Sequence, residues 1–353
     1  MTLNRFLAFI LFALALLCIP TPAATPPGTV EHIKVHGISL MGNLEGDSPD
    51  RDVSVYLPPS YKKDKSRHYP VVYFLHGFTD SDDKWYGPTK HWINLPTVLD
   101  KALQNPSNKE MIFVTPNAFT RYQGSMYSSS VTTGDWEKFV TQELIAYIDS
   151  HYRTIAKRDS RGLAGHSMGG YGAMRLGMKH PDVYSSVYLL SACCLTADFF
   201  KITDDQLAKA EAVKDPAEVE KADFMAKILL ASAAAWSPDP NNPPLYLTLP
   251  GDKDDARKNV HNKWAANAPM EQIDQYIDNL RSLKAFALDV GDNDHGITVT
   301  TKQLDGVLTS YKITHFFEVY PGDHLNHIAD RIETQVVPFF SKNLSFEKSP
   351  HHK

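Results

Sequence analysis

The sequence predicts an α/β fold, a mostly parallel central sheet with helices on both faces. Two observations carry this. Short apolar runs alternate with helical patterns along most of the chain. Several of those runs are continuously apolar, as strands buried on both faces require. The 353 residues, 42% hydrophobic and 22% charged, suffice for one large core or two modest ones. The formal charge is −5 and no long basic block occurs, which argues against nucleic-acid binding.

The first element is not part of the fold. Arg5 precedes "FLAFILFALALLCIP" and the small residues of "TPAAT". One charge, an apolar run of about 14 residues and small residues after it read as a signal peptide over residues 1–24, cleaved after Ala23 or Ala24. The run is short for a membrane span of about 20 residues, and Leu17 stands where a lipid-attachment site at Cys18 wants a small residue. The expectation is a secreted or periplasmic chain with no stable membrane insertion after cleavage. Cys193 and Cys194 then remain. Adjacent cysteines are strained for a disulfide, so they read as two small buried apolar residues, with a redox role the lesser reading.

After the linker "ATPPG", "DVSVYLPP" alternates and stops at Pro-Pro, as a strand does. "YPVVYFLHG", "MIFVTPN" and "DSRGLAGHS" follow as buried strands, then "VYSSVYLLSA", "LKAFALDVGD" and "HFFEVYPGDH". Between them, "WEKFVTQELIAYIDSHY" places Phe139, Leu144, Ile145 and Ile148 on one helical stripe. "MGGYGAMRLGMKH" runs as a helix to Pro181, and "TTKQLDGVLTSYK" and "LNHIADRIETQVVPFF" supply two more. Residues 196–279 break the rhythm. That segment is either a cap over the sheet's edge or helices packed away from it. In it, "GDKDD" resembles a calcium loop, but Ala256 falls where a ligand should stand. Residues 346–353 read as a tail.

"AGHSMGGYGAM" joins a strand to a helix. A serine hydroxyl is a poor nucleophile until a base takes its proton. The G-x-S-x-G turn lifts the hydroxyl above the sheet, and its glycines let strand and helix close up. In this context Ser167 is the candidate nucleophile. The Met168 N–H opens the helix, where donors are unpaired and the dipole favours an anion. A second oxyanion donor is available from "FLHGF", at Phe78 or, failing that, Gly77. Such a donor is worth about 2.7–4 kcal/mol in acyl transfer.

In sheets of this kind the acid and then the histidine follow the serine. The last strand runs into "YPGDHLNHI", which offers His324 on the turn and His327 one helical turn later. His324 is the better placed. His295 reads as a solvated turn residue, and His76, ahead of the serine, as structural. The fifth core strand offers Asp289 within its last turn of alternation and Asp292 and Asp294 in the loop after it, and spacing alone does not separate the latter two.

"VYLPPSY", "YFLHGF", "SMYSSSVTTGDWEKFVTQELIAYID", "RGLAGHSMGGYGAM" and "YPGDH" together resemble the "putative esterase" family of α/β-hydrolases. That family includes esterase D-like enzymes, feruloyl and acetyl xylan esterases, S-formylglutathione hydrolases and mycolyltransferases. The resemblance covers roughly residues 53–195 and 285–344. It implies an α/β-hydrolase domain over residues 25–345, with Ser167 as nucleophile, Asp294 as acid through its G-x-x-D pattern, and His324 as base. It implies hydrolysis of a small-molecule or polysaccharide ester without cofactor or metal, or acyl transfer to a sugar or lipid alcohol. Trp85, Tyr122 and Tyr127 lie near the family's site-forming loops and are candidate substrate contacts, though core packing explains them equally. Two departures matter. The aromatic pair usual after the last histidine is replaced by "HLNHIAD", and residues 196–279 are longer than the family's usual connection.

Overall fold

A computed structural model describes residues 26–199, 201–251 and 254–346. The expected signal peptide, Cys18 and all but the first residue of the expected tail lie outside them. Among the described residues no helix is long and apolar enough to cross a membrane.

Ten strands form: β1 (Thr29–His36), β2 (Asp50–Leu57), β3 (Val71–Leu75), β4 (Ile112–Pro116), β5 (Ser129–Ser130), β6 (Gly134–Asp135), β7 (Arg161–His166), β8 (Ser186–Leu190), β9 (Ala285–Gly291) and β10 (Phe316–Tyr320). Eight make one sheet in the order β1-β2-β4-β3-β7-β8-β9-β10, and β5 and β6 make a small hairpin. β1, β2 and β4 pair antiparallel, and all pairs from β4 to β10 are parallel. Because β3, β7, β8, β9 and β10 point the same way, their C-terminal ends share one edge, where open parallel sheets place ligands.

The continuous apolar runs have their cause in two cores. Val71, Tyr73 and Leu75 of β3 face one core, and Val72 and Phe74 the other. Leu163 and Ala164 of β7 divide the same way, as do Leu189 and Leu190 of β8. The helix Met168–Lys179 and the helical run Trp136–His151 cover the first face. The helix Leu95–Ala102 and the run Ile328–Asn343 cover the second. The predicted stripe Phe139, Leu144, Ile145 and Ile148 is buried, although the helix widens to i→i+5 bonding over Phe139–Glu143.

Among its described residues, the segment 196–279 has no separate core. Leu229, Leu230, Trp236 and Trp264 cluster with Tyr171 and Met174 of the main core. Polar ties fix it: Trp236 Nε1 donates to Ser128 Oγ at 3.1 Å, and Tyr171 O–H donates to the Asn267 carbonyl at 2.8 Å.

Candidate active site

Ser167 follows β7 as the cap of the helix Met168–Lys179, with φ 57° and ψ −116°. A non-glycine residue in this region is strained and persists only where its surroundings hold it. Here the Ser167 N–H donates to the Leu190 carbonyl at 3.0 Å, and the Ser167 carbonyl accepts from Tyr171 N–H at 3.0 Å. The flanking glycines make the turn sterically available. A Cβ on Gly165 would lie 2.1 Å from the Gly169 carbonyl oxygen, and one on Gly169 would lie 1.9 Å from that of Leu75.

His324, in the loop after β10, places Nε2 2.9 Å from Ser167 Oγ. Its Nδ1 stands 2.8 Å from Asp294 Oδ2. The carboxylate accepts from Nδ1–H, which leaves Nε2 free to accept the serine O–H. Asp294 occupies the cap position of the helix His295–Ser310, yet its side chain makes no capping bond. It is turned to the imidazole instead. Its side chain is 7% exposed, against 33% for His324.

The other acids separate in space. Asp292 Oδ1 accepts from Gly322 N–H at 2.9 Å, and Asn293 N–H donates to the Gly322 carbonyl at 2.9 Å. These bonds staple the acid's loop to the histidine's. Asp289 lies within β9, wholly buried. It accepts from Tyr188 O–H at 2.7 Å and from Arg331 Nε at 2.8 Å. Burial pushes its carboxyl up to about 6, against the pull of Arg331.

The histidines divide as cleanly. Both ring nitrogens of His76 are engaged, Nδ1 donating to the Gly77 carbonyl and Nε2 accepting from Ala118 N–H, each at 2.9 Å. Burial pulls it down to about 4. His327 pairs with Asp330 at the surface, and His295 is exposed.

Ser167 opens into a cavity of about 250 Å³. Asp294, His324, Phe78, Met168 and Ile297 contribute to its wall at the sheet's edge, and Phe199, Phe224 and Ile228 come from the segment 196–279. A larger groove of about 500 Å³, between Ala210 and Arg257, includes neither Ser167 nor His324. Three expected substrate contacts need correction. Trp85, Tyr122 and Tyr127 have no exposed surface and do not line the cavity. Each spends its polar atom in the interior: Trp85 on Asp80, Tyr122 on the Leu245 carbonyl and Tyr127 on the His76 carbonyl.

His166 was not anticipated. It is buried beside the serine, and its Nε2 donates to the His324 carbonyl at 2.9 Å. The two rings are 4.7 Å apart. Burial, reinforced by the neighbouring His324, holds its pKa well below the usual histidine range. It therefore supports the His324 main chain as a neutral donor. The only sequence signal was its adjacency to Ser167.

Comparisons with known proteins bear on the family and the fold. Among curated proteins, Esterase Rv1288 of Mycobacterium tuberculosis is 32% identical over 136 residues, which are 38% of this chain and 27% of the relative. The endo-1,4-beta-xylanase/feruloyl esterase of Xylanibacter ruminicola is 30% identical over 165 residues, 46% of this chain and 22% of the relative. The chain thus spans about a quarter of the length of these relatives. Among solved structures, a ferulic acid esterase superposes with a TM-score of 0.64 at 22% identity, covering 92% of this chain and all of its own. FphF, a fluorophosphonate-binding serine hydrolase of Staphylococcus aureus, superposes with a TM-score of 0.58 at 15% identity, covering 90% and 99%. These likenesses are of fold, the α/β-hydrolase fold. The family model described as "Putative esterase" matches residues 48–327, and the chain belongs to that family.

Proposed function

We propose that the chain is a secreted serine hydrolase of carboxylic esters. The observation that carries this is the hydrogen-bonded line from Ser167 Oγ through His324 to Asp294, at 2.9 and 2.8 Å, opening into an apolar cavity. Ser167 attacks the ester carbonyl as His324 Nε2 takes its proton. His324 returns that proton to the leaving alcohol. Asp294 holds the ring in the productive tautomer and stabilises the imidazolium. The N–H groups of Phe78 and Met168 receive the oxyanion. Met168 is the first helical residue, so its N–H has no acceptor within the helix. Water, activated by His324, then releases the acid. Residues 25–345 act as one domain, with 196–279 supplying part of the cavity wall.

The substrate is a small-molecule or polysaccharide ester met outside the cytoplasm after removal of residues 1–24. N-terminal sequencing of the exported protein tests that step, with Ala24 or Thr25 the expected first residue. Acyl transfer would use the same groups with an alcohol in place of water, and product partition with added glycerol or trehalose measures it. For the mechanism itself, Ser167→Ala is expected to lower kcat on p-nitrophenyl acetate by about 10⁴-fold or more. Retention of full activity would refute it.

A further inference from the structure

We propose that Cys193 and Cys194 are a redox pair, closing to a vicinal disulfide on the wall of the cavity that holds Ser167. Both residues line that cavity. Their Sγ atoms stand 2.7 Å apart. Side chains of neighbouring residues in extended chain point to opposite sides. Here Cys194 has φ 59°, a left-handed turn rare for a residue with a Cβ, and the two sulfurs meet. The loop is held on either side. Cys193 N–H donates to the Ser167 carbonyl at 3.2 Å, and the Leu195 carbonyl accepts from Met270 N–H at 3.0 Å. Apart from Cys18, in the signal peptide, the sequence has no third cysteine to compete.

The two thiols have different access. Cys193 is half-buried and Cys194 buried, and burial pushes the Cys194 thiol up. Cys193 is therefore the attacking group. Its thiolate displaces one thiolate from a small dialkyl disulfide, R–S–S–R, forming a Cys193–S–S–R bond. Cys194 then gives up its proton and attacks the Cys193 sulfur, expelling the second thiolate. Two cysteine thiols are oxidised, R–S–S–R is reduced to two R–SH, and both cysteine protons end on those thiols. Neighbouring Cα atoms joined by a trans peptide are about 3.8 Å apart, below the usual disulfide span of about 4.4–6.8 Å. Strain of this kind makes a disulfide easy to reduce, which suits a switch rather than a staple. Closure removes two thiols from the cavity and stiffens the loop bonded to Ser167. That functional consequence rests on the esterase reading, but the thiol chemistry does not.

The test uses the purified chain with hydroxyethyl disulfide as oxidant. Peptide mass spectrometry after alkylation is expected to show the 193–194 peptide lighter by two hydrogens, unalkylated and restored by dithiothreitol. In Cys194→Ser the reaction is expected to stop at the mixed disulfide on Cys193. Persistence of that mixed disulfide in the unsubstituted chain, free thiols after treatment, or a disulfide between two chains would each overturn the proposal. On p-nitrophenyl hexanoate, kcat/KM is expected to differ by about threefold between oxidised and reduced protein. Equal values would overturn the switch while leaving the mass result intact. Fluorophosphonate labelling of Ser167, read in the same samples, reports separately on the esterase reading.

Discussion

The loops at the C-terminal edge of the sheet and the segment 196–279 build the same cavity by different means. Ser167, Asp294 and His324 each follow the end of a parallel strand, so sheet register sets their spacing. β7 and β9 flank β8, and β9 pairs with β10, with His166 opposite Leu190 and Gly291 opposite Tyr320. Phe224 and Ile228 instead come from a helix packed into the core beside Tyr171. The first region tolerates almost no displacement, because two hydrogen bonds define it. The second fills space, and its side chains set how much space remains. On the proposed reading, backbone topology fixes the chemistry and side-chain volume the acyl preference.

After Ser167→Ala, the largest effect should come from Asp294→Asn. A fall in kcat of about 10³–10⁴-fold is expected from loss of the productive His324 tautomer. Asp289→Asn, five residues earlier, should leave kcat unchanged and lower the melting temperature, because it serves Tyr188 and Arg331 in the core. Steady-state kinetics and thermal denaturation on both variants check this. Reversal of the two outcomes would exchange their roles.

A smaller effect is expected across the cavity. Phe224 is 58% exposed and packs edge-on to Phe78, with ring centroids 6.1 Å apart. Phe224→Ala should reduce kcat/KM for p-nitrophenyl hexanoate by about tenfold and for the acetate by little, as expected when apolar contact with an acyl chain is lost. Equal losses on both esters would show that the helix supports the chemistry rather than the acyl group.

The smallest effect belongs to the seam between the regions. Glu137 binds Arg175 and Lys179 of the helix that begins after Ser167, and Arg175 reaches Asn267 in the inserted segment at 3.2 Å. Burial alone would raise the Glu137 carboxyl, but His180, Lys179 and Arg175 outweigh it and hold the pKa at about 2, below its ordinary 4.5. The folded protein therefore binds fewer protons than the unfolded one between these values. The stabilisation is complete above pH 4.5 and is lost as pH falls toward about 2. Glu137→Gln should cost about 1–2 kcal/mol at pH 7. Denaturant titrations of both proteins should converge as the pH is lowered.

The same contrast explains what was legible in the sequence. Strands buried on both faces announce themselves as apolar runs, and the elbow at Ser167 has its own spacing. β1 carries no such signal, because as an edge strand it mixes exposed residues such as Glu31 and Lys34 with less exposed ones and lacks a continuous apolar run. Spacing does not separate Asp294 from Asp292 in the same loop, since what distinguishes them is the direction each carboxylate faces: Asp292 accepts from Gly322 N–H and Asp294 meets the His324 imidazole. Trp85, Tyr122 and Tyr127 are near the site along the chain but buried away from the cavity, whereas the residues that reach it, Phe199, Phe224 and Ile228, lie in a segment whose packing no local pattern reveals. His166 likewise acts across space, on a main-chain carbonyl 158 residues away.

The central claim, that Ser167 carries the acyl group, is most directly tested by acid-quenching the protein during turnover of p-nitrophenyl butyrate and mapping the adduct by mass spectrometry. A butyryl group on the peptide containing Ser167, absent from Ser167→Ala, is the predicted result. Turnover with no adduct on Ser167, or with the acyl group on another residue, would contradict it.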